Sequence, residues 1–391
     1  MEQPLSILIP IHSFEPGGVE RVGLNLARSW HEAGHKVVVL LGRDEGADRA
    51  NAPRLHYERR HTRMRTGPFE SLWLTWCLLL YLRRHRPDVI FCAGNTYAVV
   101  CAVARLFYGQ QCPPIVVKVS NDLERRDKPK LRRAAYHTWL RVQGLMFDRF
   151  VAIAAPGRAE VMHHMAVGPH RTAMVPDPAL TTRRLQALMA IPRSETRGMD
   201  VRFVAVGRLV PQKNFALLLE AFARGARSGD TLTIVGDGPQ RAKLEAQAVH
   251  YGIERQVRFI GHVADPDPYL ARADCMVLSS DYEGVPAVVI EAIAAGLPVI
   301  STDCSASMRE LLAGRGVLVP VGDVDGLARW MTDALSLPIA TRDTRSFAAD
   351  FVIEESRDKY IAIMREAIDI ARNDLSVFTP STMRKCHIRG V

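Results

Sequence analysis

Residues 279–296, Ser279-Ser-Asp-Tyr-Glu283-Gly-Val-Pro286-Ala-Val-Val-Ile-Glu291-Ala-Ile-Ala-Ala-Gly296, decide how this chain is read. The preceding Cys275-Met-Val-Leu278 is a short apolar run of the kind that forms a buried strand. Glu283 and Gly284 fall in a turn. Pro286 suits a first helical position, where a missing N–H is no loss. Residues 287–295 form the expected helix body, Gly296 its C′ stop and Pro298 the seal behind it. The first turn of such a helix presents unpaired N–H groups and a positive dipole end, which together make an anion site. Glu283 and Glu291 flank it. Carboxylates beside a bound phosphate make chemical sense when they face hydroxyls, as on a sugar and a ribose. The same residues also fit an ordinary capped helix with two solvated glutamates, so the decision rests on what lies upstream.

Upstream, Val201-Arg-Phe-Val-Ala-Val206 reads as a strand, followed by Gly207-Arg-Leu-Val-Pro-Gln-Lys-Asn214 and a helix over 215–224. Arg208 and Lys213 share this strand-to-helix loop, where both can reach one anion, the arginine bidentately and the lysine as a point charge. Thr231-Leu-Thr-Ile-Val235 then leads into Gly236-Asp-Gly-Pro239, a second strand ending in a glycine turn. Taken together, Gly207-Arg208 through Lys213-Asn214, Gly236-Asp-Gly-Pro239, Ala273-Asp274 and Glu283-Gly-x-Pro to Glu291 resemble the nucleotide-sugar half of family 4 glycosyltransferases of the GT-B fold. The resemblance implies an α/β chain of two Rossmann-like domains facing across a cleft, with a C-terminal helix crossing back to the first. It implies Arg208, Lys213 and Glu283 as the catalytic set. It implies donor contacts from Gly17, Gly18, Gly207, Gly236, His262, Val263, Gly284, Val285, Pro286, Ala287 and Glu291, with Glu291 on the ribose and His262-Val263 near the base. Transfer with retention, no cofactor and no metal are further implications.

Length and composition set bounds. The chain has 391 residues, enough for two domains, and 48% of them are apolar, which fits a globular protein and not a disordered one. Seven cysteines without a C-x-x-C pair indicate neither a zinc ribbon nor a disulfide framework, so free thiols in a reducing cytoplasm are expected. No signal peptide is expected, because residues 5–9 already read as a first buried strand with no basic stretch before it. The net charge of +9 is unevenly placed. Residues 1–190 hold 27 Lys and Arg against 16 Asp and Glu, and residues 191–391 hold 24 against 26. A basic first half implies an anionic partner there, whether membrane surface, lipid-linked phosphate or nucleic acid.

In chain order, residues 5–11 form a strand, residues 20–33 a helix and residues 36–41 the next strand, a βαβ unit whose Gly17-Gly18 loop can approach a phosphate closely. In the resembling family this pair meets the donor diphosphate from the opposite domain. Arg59, Arg60, Arg63 and Arg65 precede an apolar run over 69–82, which is too short for a bilayer span of about 20 residues. A buried helix is the first reading of that run, and an interfacial helix with Trp73 and Trp76 at lipid headgroups is the alternative. Strands over 88–92 and 115–119 end at Asn95, Thr96 and at Ser120, Asn121, Asp122. These are acceptor-side candidates because ligands of open α/β sheets lie beyond strand carboxyl ends. Relatives often carry a histidine where Ser120-Asn121-Asp122 stands, and Asn121 is the candidate replacement. A basic run over 124–133 follows, and residues 149–153 are expected as the last strand of this half. The expected division is an acceptor domain over 1–178, a linker over 179–199, a nucleotide-sugar domain over 200–345, a returning helix over 346–372 and a tail over 373–391.

The expected activity is transfer of a sugar, UDP-linked by preference, to a lipid or lipid-linked saccharide at the inner face of the cytoplasmic membrane, with an anionic membrane surface as partner and no nucleic acid. A nucleotide-sugar epimerase on the same architecture and a basic nucleic-acid-binding protein are the competing readings. The triplets Asp265-Pro-Asp267 and Asp323-Val-Asp325 sit in short loops, and no metal site is expected from them.

Overall fold

The apolar runs become the strands of two parallel sheets. The computed structural model describes residues 3–377 apart from 16–17, 47, 61–66, 120–122, 126–128, 194–197 and 339–340. The chain divides into two compact units, one comprising Met1–Val175 with Ser356–Val391 and the other Pro176–Glu355.

In the first unit the strands are β1 (Ser6–Ile11), β2 (Lys36–Leu41), β3 (His56–Arg59), β4 (Val89–Cys92), β5 (Ile115–Val119), β6 (Arg149–Ala152) and β7 (Thr172–Met174). They lie in the order β3-β2-β1-β4-β5-β6-β7, all parallel. In the second unit they are β8 (Arg202–Val206), β9 (Thr231–Val235), β10 (Val257–Gly261), β11 (Cys275–Leu278), β12 (Val299–Thr302) and β13 (Gly316–Val319), in the order β10-β9-β8-β11-β12-β13, again all parallel. Each unit therefore follows the doubly wound order. The strand sequence reverses direction between β1 and β4 and between β8 and β11, and such a reversal opens a crevice at the strand carboxyl ends. Every residue of β4, β5, β6, β11 and β12 is buried, as expected of parallel strands covered by helices on both faces.

Two strands escape the apolar-run reading. β3, His-Tyr-Glu-Arg, is a polar edge strand inside what reads as a basic stretch, and β7 follows the strand expected to be last. Both sit at sheet edges, where only one side needs covering and the apolar signal is weakest. Residues 179–199, read as a polar linker, contain the helix Thr182–Met189, whose Leu185 and Leu188 are buried in the second unit. Arg193 in the same stretch donates to the carbonyls of Leu270, Ala273 and Ala295. Burial and the neighbouring Arg345 lower its pKa to about 10. Arg345 itself donates to Ala294 O at 3.0 Å. Two guanidinium groups thus close the C-terminal end of the helix Ala287–Ala294, the end that carries negative dipole charge.

The returning helix begins at Ile353, after a 3-10 turn over Phe347–Phe351, where a single helix from 346 is expected. From Ser356 onward it belongs to the first unit. Its Tyr360 is fully buried against Trp30 and Phe91, with ring centroids 6.0 and 5.5 Å away, and its Glu366 accepts from Arg149 at 2.9 Å. The helix Glu70–Arg84 is neither wholly buried nor wholly exposed. Leu74, Cys77, Leu78 and Leu82 are buried, while Phe69, Leu72 and Trp76, spaced to share one face, are 62, 71 and 51% exposed. Trp73 points inward, its indole N–H donating to Gly42 O at 2.9 Å. Among the described residues no helix is long and apolar enough to cross a membrane. The six cysteines described are free and buried.

Candidate functional site

The loops after β8 and β11 meet at the reversal point of the second sheet. Asn214 occupies the left-handed region (φ 44°), which asparagine tolerates, and caps the helix Phe215–Gly225 by accepting from Leu217 N–H at 3.2 Å. Its amide donates to Asp281 at 2.8 Å, and Gln212 Nε2 donates to Tyr282 O at 2.9 Å. Asp281 N–H donates to Gln212 O at 2.9 Å, and Ser279 Oγ to Lys213 O at 2.9 Å. This lacing fixes Lys213 against the turn that carries Glu283. Lys213 Nζ lies 2.5 Å from Glu283 Oε1, and Ser280 Oγ donates to the same oxygen at 2.7 Å. The two side chains are 18 and 10% exposed. Burial, reinforced by Glu283, pushes the nearby Cys304 thiol up to about 12, so it stays protonated and inert.

The glycines have spatial reasons. The Lys213 stem passes 3.6 Å from where a Gly207 Cβ would stand. Gly236 has φ 142°, and a Cβ there would fall 1.9 Å from Gly207 O, so no other residue fits. Gly236 N–H donates to Gly261 O at 2.9 Å, which brings His262 (exposed) and Val263 (half-buried) to the neighbouring strand end. Gly207, Lys213, Gly236 and Glu283 are therefore brought together. Arg208 is exposed beside Gly207, and its guanidinium has no hydrogen bond or ion pair among the described residues.

Ahead of the helix Ala287–Ala294, Gly284 O accepts from Ser307 Oγ at 2.8 Å and Val285 is 9% exposed. Pro286 takes the N-cap place in extended conformation, one residue earlier than expected, and Ala287 starts the helix. In the first turn Val289 N–H donates back to Pro286 O at 3.0 Å, while the N–H groups of Ala287 and Val288 have no acceptor within the helix. Glu291 belongs to a different set. It is 1% exposed, and Arg184 donates to its Oε1 at 2.9 Å and to Asp267 at 2.9 Å. Burial works against the Arg184 charge, but Glu291 and Asp267 outweigh it and hold its pKa above the ordinary value. Arg184 carries no local sequence signal, because its partners lie 107 and 83 residues away. The acidic triplets are also engaged. Asp265 accepts from Asp267 N–H at 3.0 Å, Asp323 caps the helix Val324–Thr332 through Gly326 N–H at 2.9 Å, and Asp325 accepts from Arg224 at 2.6 Å.

In the first unit, Gly18 opens the helix Gly18–Glu32 with no atom within 4 Å of where a Cβ would stand. Glu20 in its first turn accepts from Tyr97 Oη at 2.7 Å. His12, at the end of β1, lies 3.2 Å from Ser71 Oγ, and burial lowers its pKa. Asn95 donates to Tyr136 Oη at 3.5 Å, and its buried carbonyl oxygen finds no hydrogen-bond partner among the described residues. Thr96 beside it is exposed. Gly17, Ser120, Asn121 and Asp122, like Arg63 and Arg65, lie outside the described residues.

Two doubly wound parallel sheets in tandem, the second with a lysine–glutamate pair beside a helix N-terminus at its reversal point, define a glycosyltransferase-type chain of the GT-B fold. The comparisons agree. Residues 16–181 match glycosyltransferase family 4, and residues 200–336 match glycosyl transferases group 1. The chain belongs to the glycosyltransferases that join these two domains. It is 33% identical over 167 residues to the lipopolysaccharide core biosynthesis glycosyltransferase LpsE of Rhizobium meliloti, covering 41% of this chain and about half (48%) of LpsE. To LpsD of the same organism, also named for lipopolysaccharide core biosynthesis, it is 27% identical over 81% of this chain and 84% of LpsD. In structure it is similar to Anabaena HepE in complex with UDP and glucose, with a TM-score of 0.72 at 19% identity, over 92% of this chain and 99% of HepE.

Proposed function

We propose that the protein moves a sugar from a UDP-sugar to a lipid or lipid-linked saccharide, with retention and without a metal. The observation that carries this reading is the Lys213–Glu283 pair between β8 and β11, with the exposed Arg208 beside it. Negative charge builds on the leaving diphosphate as the bond from the anomeric carbon breaks. Lys213 and the first-turn amides near Ala287 are held in place to meet that charge with little reorganisation, and the exposed Arg208 beside them supplies a second cation. Glu283, with the amides of Gly284 and Val285, holds the sugar hydroxyls. Glu291 takes the ribose, and Arg184 balances its buried charge so that the carboxylate can accept from two hydroxyls. The acceptor oxygen bonds to the anomeric carbon and gives its proton to the departing diphosphate.

UDP is favoured because the similar HepE is named in complex with UDP and glucose. A lipid-linked acceptor is favoured because LpsE and LpsD are named for lipopolysaccharide core biosynthesis. Asn95 and Thr96, with residues 120–122, are the acceptor-side candidates. The exposed face of Phe69, Leu72 and Trp76, in the basic half of the chain, is the candidate for contact with an anionic membrane.

A thermal-shift screen across sugar nucleotides, followed by incubation of the strongest binder with and without lipopolysaccharide core acceptor, tests the reading. Acceptor-dependent release of nucleoside diphosphate supports it. Isomerisation of the sugar nucleotide without acceptor would make the protein an epimerase instead. For the membrane contact, wild-type protein should float with vesicles containing anionic lipid. Absence of flotation with and without anionic lipid would refute the contact.

A further inference from the structure

We propose that Glu124, His137 and His164 form a site for one divalent transition-metal ion, with Zn2+ the best match to their chemistry. The site lies wholly in the first unit and is separate from the residues assigned to the donor. It departs from the sequence-based expectation that the chain has no metal site. Three segments supply it: the loop after β5 carries Glu124, the helix Lys130–Met146 carries His137, and the helix Ala155–His164 ends on His164.

The geometry is close to that of a bound ion. The three ligand atoms all lie within 4.8 Å of one another. Glu124 Oε2 and His164 Nε2 are 3.1 Å apart, and the two imidazole rings have centroids 4.5 Å apart. Ligands at roughly 2.0–2.1 Å from a tetrahedral ion stand about 3.3 Å from each other. One pair is at that spacing already, and a small side-chain rotation brings the third atom in. A second observation points the same way. His137 Nε2 is shielded from solvent and has no hydrogen-bond partner among the described residues. A buried polar atom without a partner costs about 1–3 kcal/mol, and coordination removes that cost.

The donor set selects the ion. Two imidazole nitrogens and one carboxylate oxygen suit Zn2+ or its borderline neighbours, whereas Mg2+ and Ca2+ prefer all-oxygen shells. Three protein ligands leave one tetrahedral position for water. The ion would tie the Glu124 loop to two helices. The ion is structural and takes no part in bond making. The alternative is a simple Glu124–His164 ion pair with His137 stacked against it, which gives no selective metal affinity.

The test uses full-length protein freed of metal by chelator and titrated with Zn2+ in competition with an indicator chelator. One ion per chain is expected. His137→Gln and His164→Gln should each weaken binding by more than about 100-fold, since even loss of an outer-shell partner costs about 10–100-fold. Unchanged affinity in both variants, or no competition by the wild type, overturns the proposal. X-ray absorption on the Zn2+-loaded wild type keeps the test valid if a variant misfolds. A shell of two imidazoles and light oxygen donors supports the site, and a shell without two imidazoles refutes it.

Discussion

Lys213→Met removes the ammonium that sits 2.5 Å from Glu283 while leaving an apolar stem over Gly207. Two effects follow, and they can be separated. The first is on stability. Removing one member of a buried ion pair costs about 3–5 kcal/mol. Glu283 keeps Ser280 Oγ at 2.7 Å and is 10% exposed, so the expected loss is nearer about 2–3 kcal/mol. The second is on turnover. Removing one preorganised charge from a site where negative charge develops lowers kcat by about 10²–10³, or roughly 3–4 kcal/mol. Urea unfolding reads the first effect, and release of nucleoside diphosphate in the presence of acceptor reads the second. The double variant Lys213→Met/Glu283→Gln replaces the charged pair with a neutral one. It should recover most of the stability and none of the turnover. If Lys213→Met keeps kcat within about threefold of wild type, or if the double variant regains activity along with stability, Lys213 is only a structural partner of Glu283 and the mechanism is wrong.

Other outcomes follow from the same geometry. Arg184→Met leaves Glu291 buried without its guanidinium. Stability should fall by about 3–5 kcal/mol and the donor KM should rise more than kcat falls, whereas unchanged KM would remove Glu291 from ribose binding. Gly236→Ala puts a Cβ within 1.9 Å of Gly207 O at a φ that alanine avoids, so a loss of more than about 1–3 kcal/mol in chemical denaturation is expected, and a neutral result would contradict the close approach of the two strand ends. His12 has its pKa lowered, chiefly by burial. The unfolded chain therefore binds a proton that the native chain refuses, and stability declines as pH falls below about 6.5. His12→Asn should flatten that slope between pH 7.5 and 5.5, and an unchanged slope would place the cause elsewhere.

The parallel strands and the loops that bring Lys213 and Glu283 together were legible because their signals are local. β8, β9 and β11 are apolar runs that stop at glycine or polar turns, and the Arg208, Lys213, Glu283 and Gly236 positions lie within a few residues of those strand ends. What escaped was either weak or distant. β3 and β7 are short edge strands with little apolar content. The helix Thr182–Met189 sits in a stretch whose polar residues suggest a linker, because its partners come from far along the chain. The guanidinium of Arg184 on Glu291, and those of Arg193 and Arg345 on the far end of the same helix, are long-range contacts with no spacing to betray them. The face of Phe69, Leu72 and Trp76 shows a further limit. Composition marks the segment as apolar, but only packing decides which side of the helix is buried.

The central claim is that Arg208 and Lys213 hold a pyrophosphate at the carboxyl ends of β8 and β11. Calorimetric titration with the sugar nucleotide that gives the largest thermal shift tests it most directly, in wild type and in Arg208→Ala/Lys213→Ala. Two charge-assisted contacts at about 1.5–3 kcal/mol each predict a loss of affinity of about 100-fold or more. Equal affinity in the two proteins would show that the nucleotide binds elsewhere.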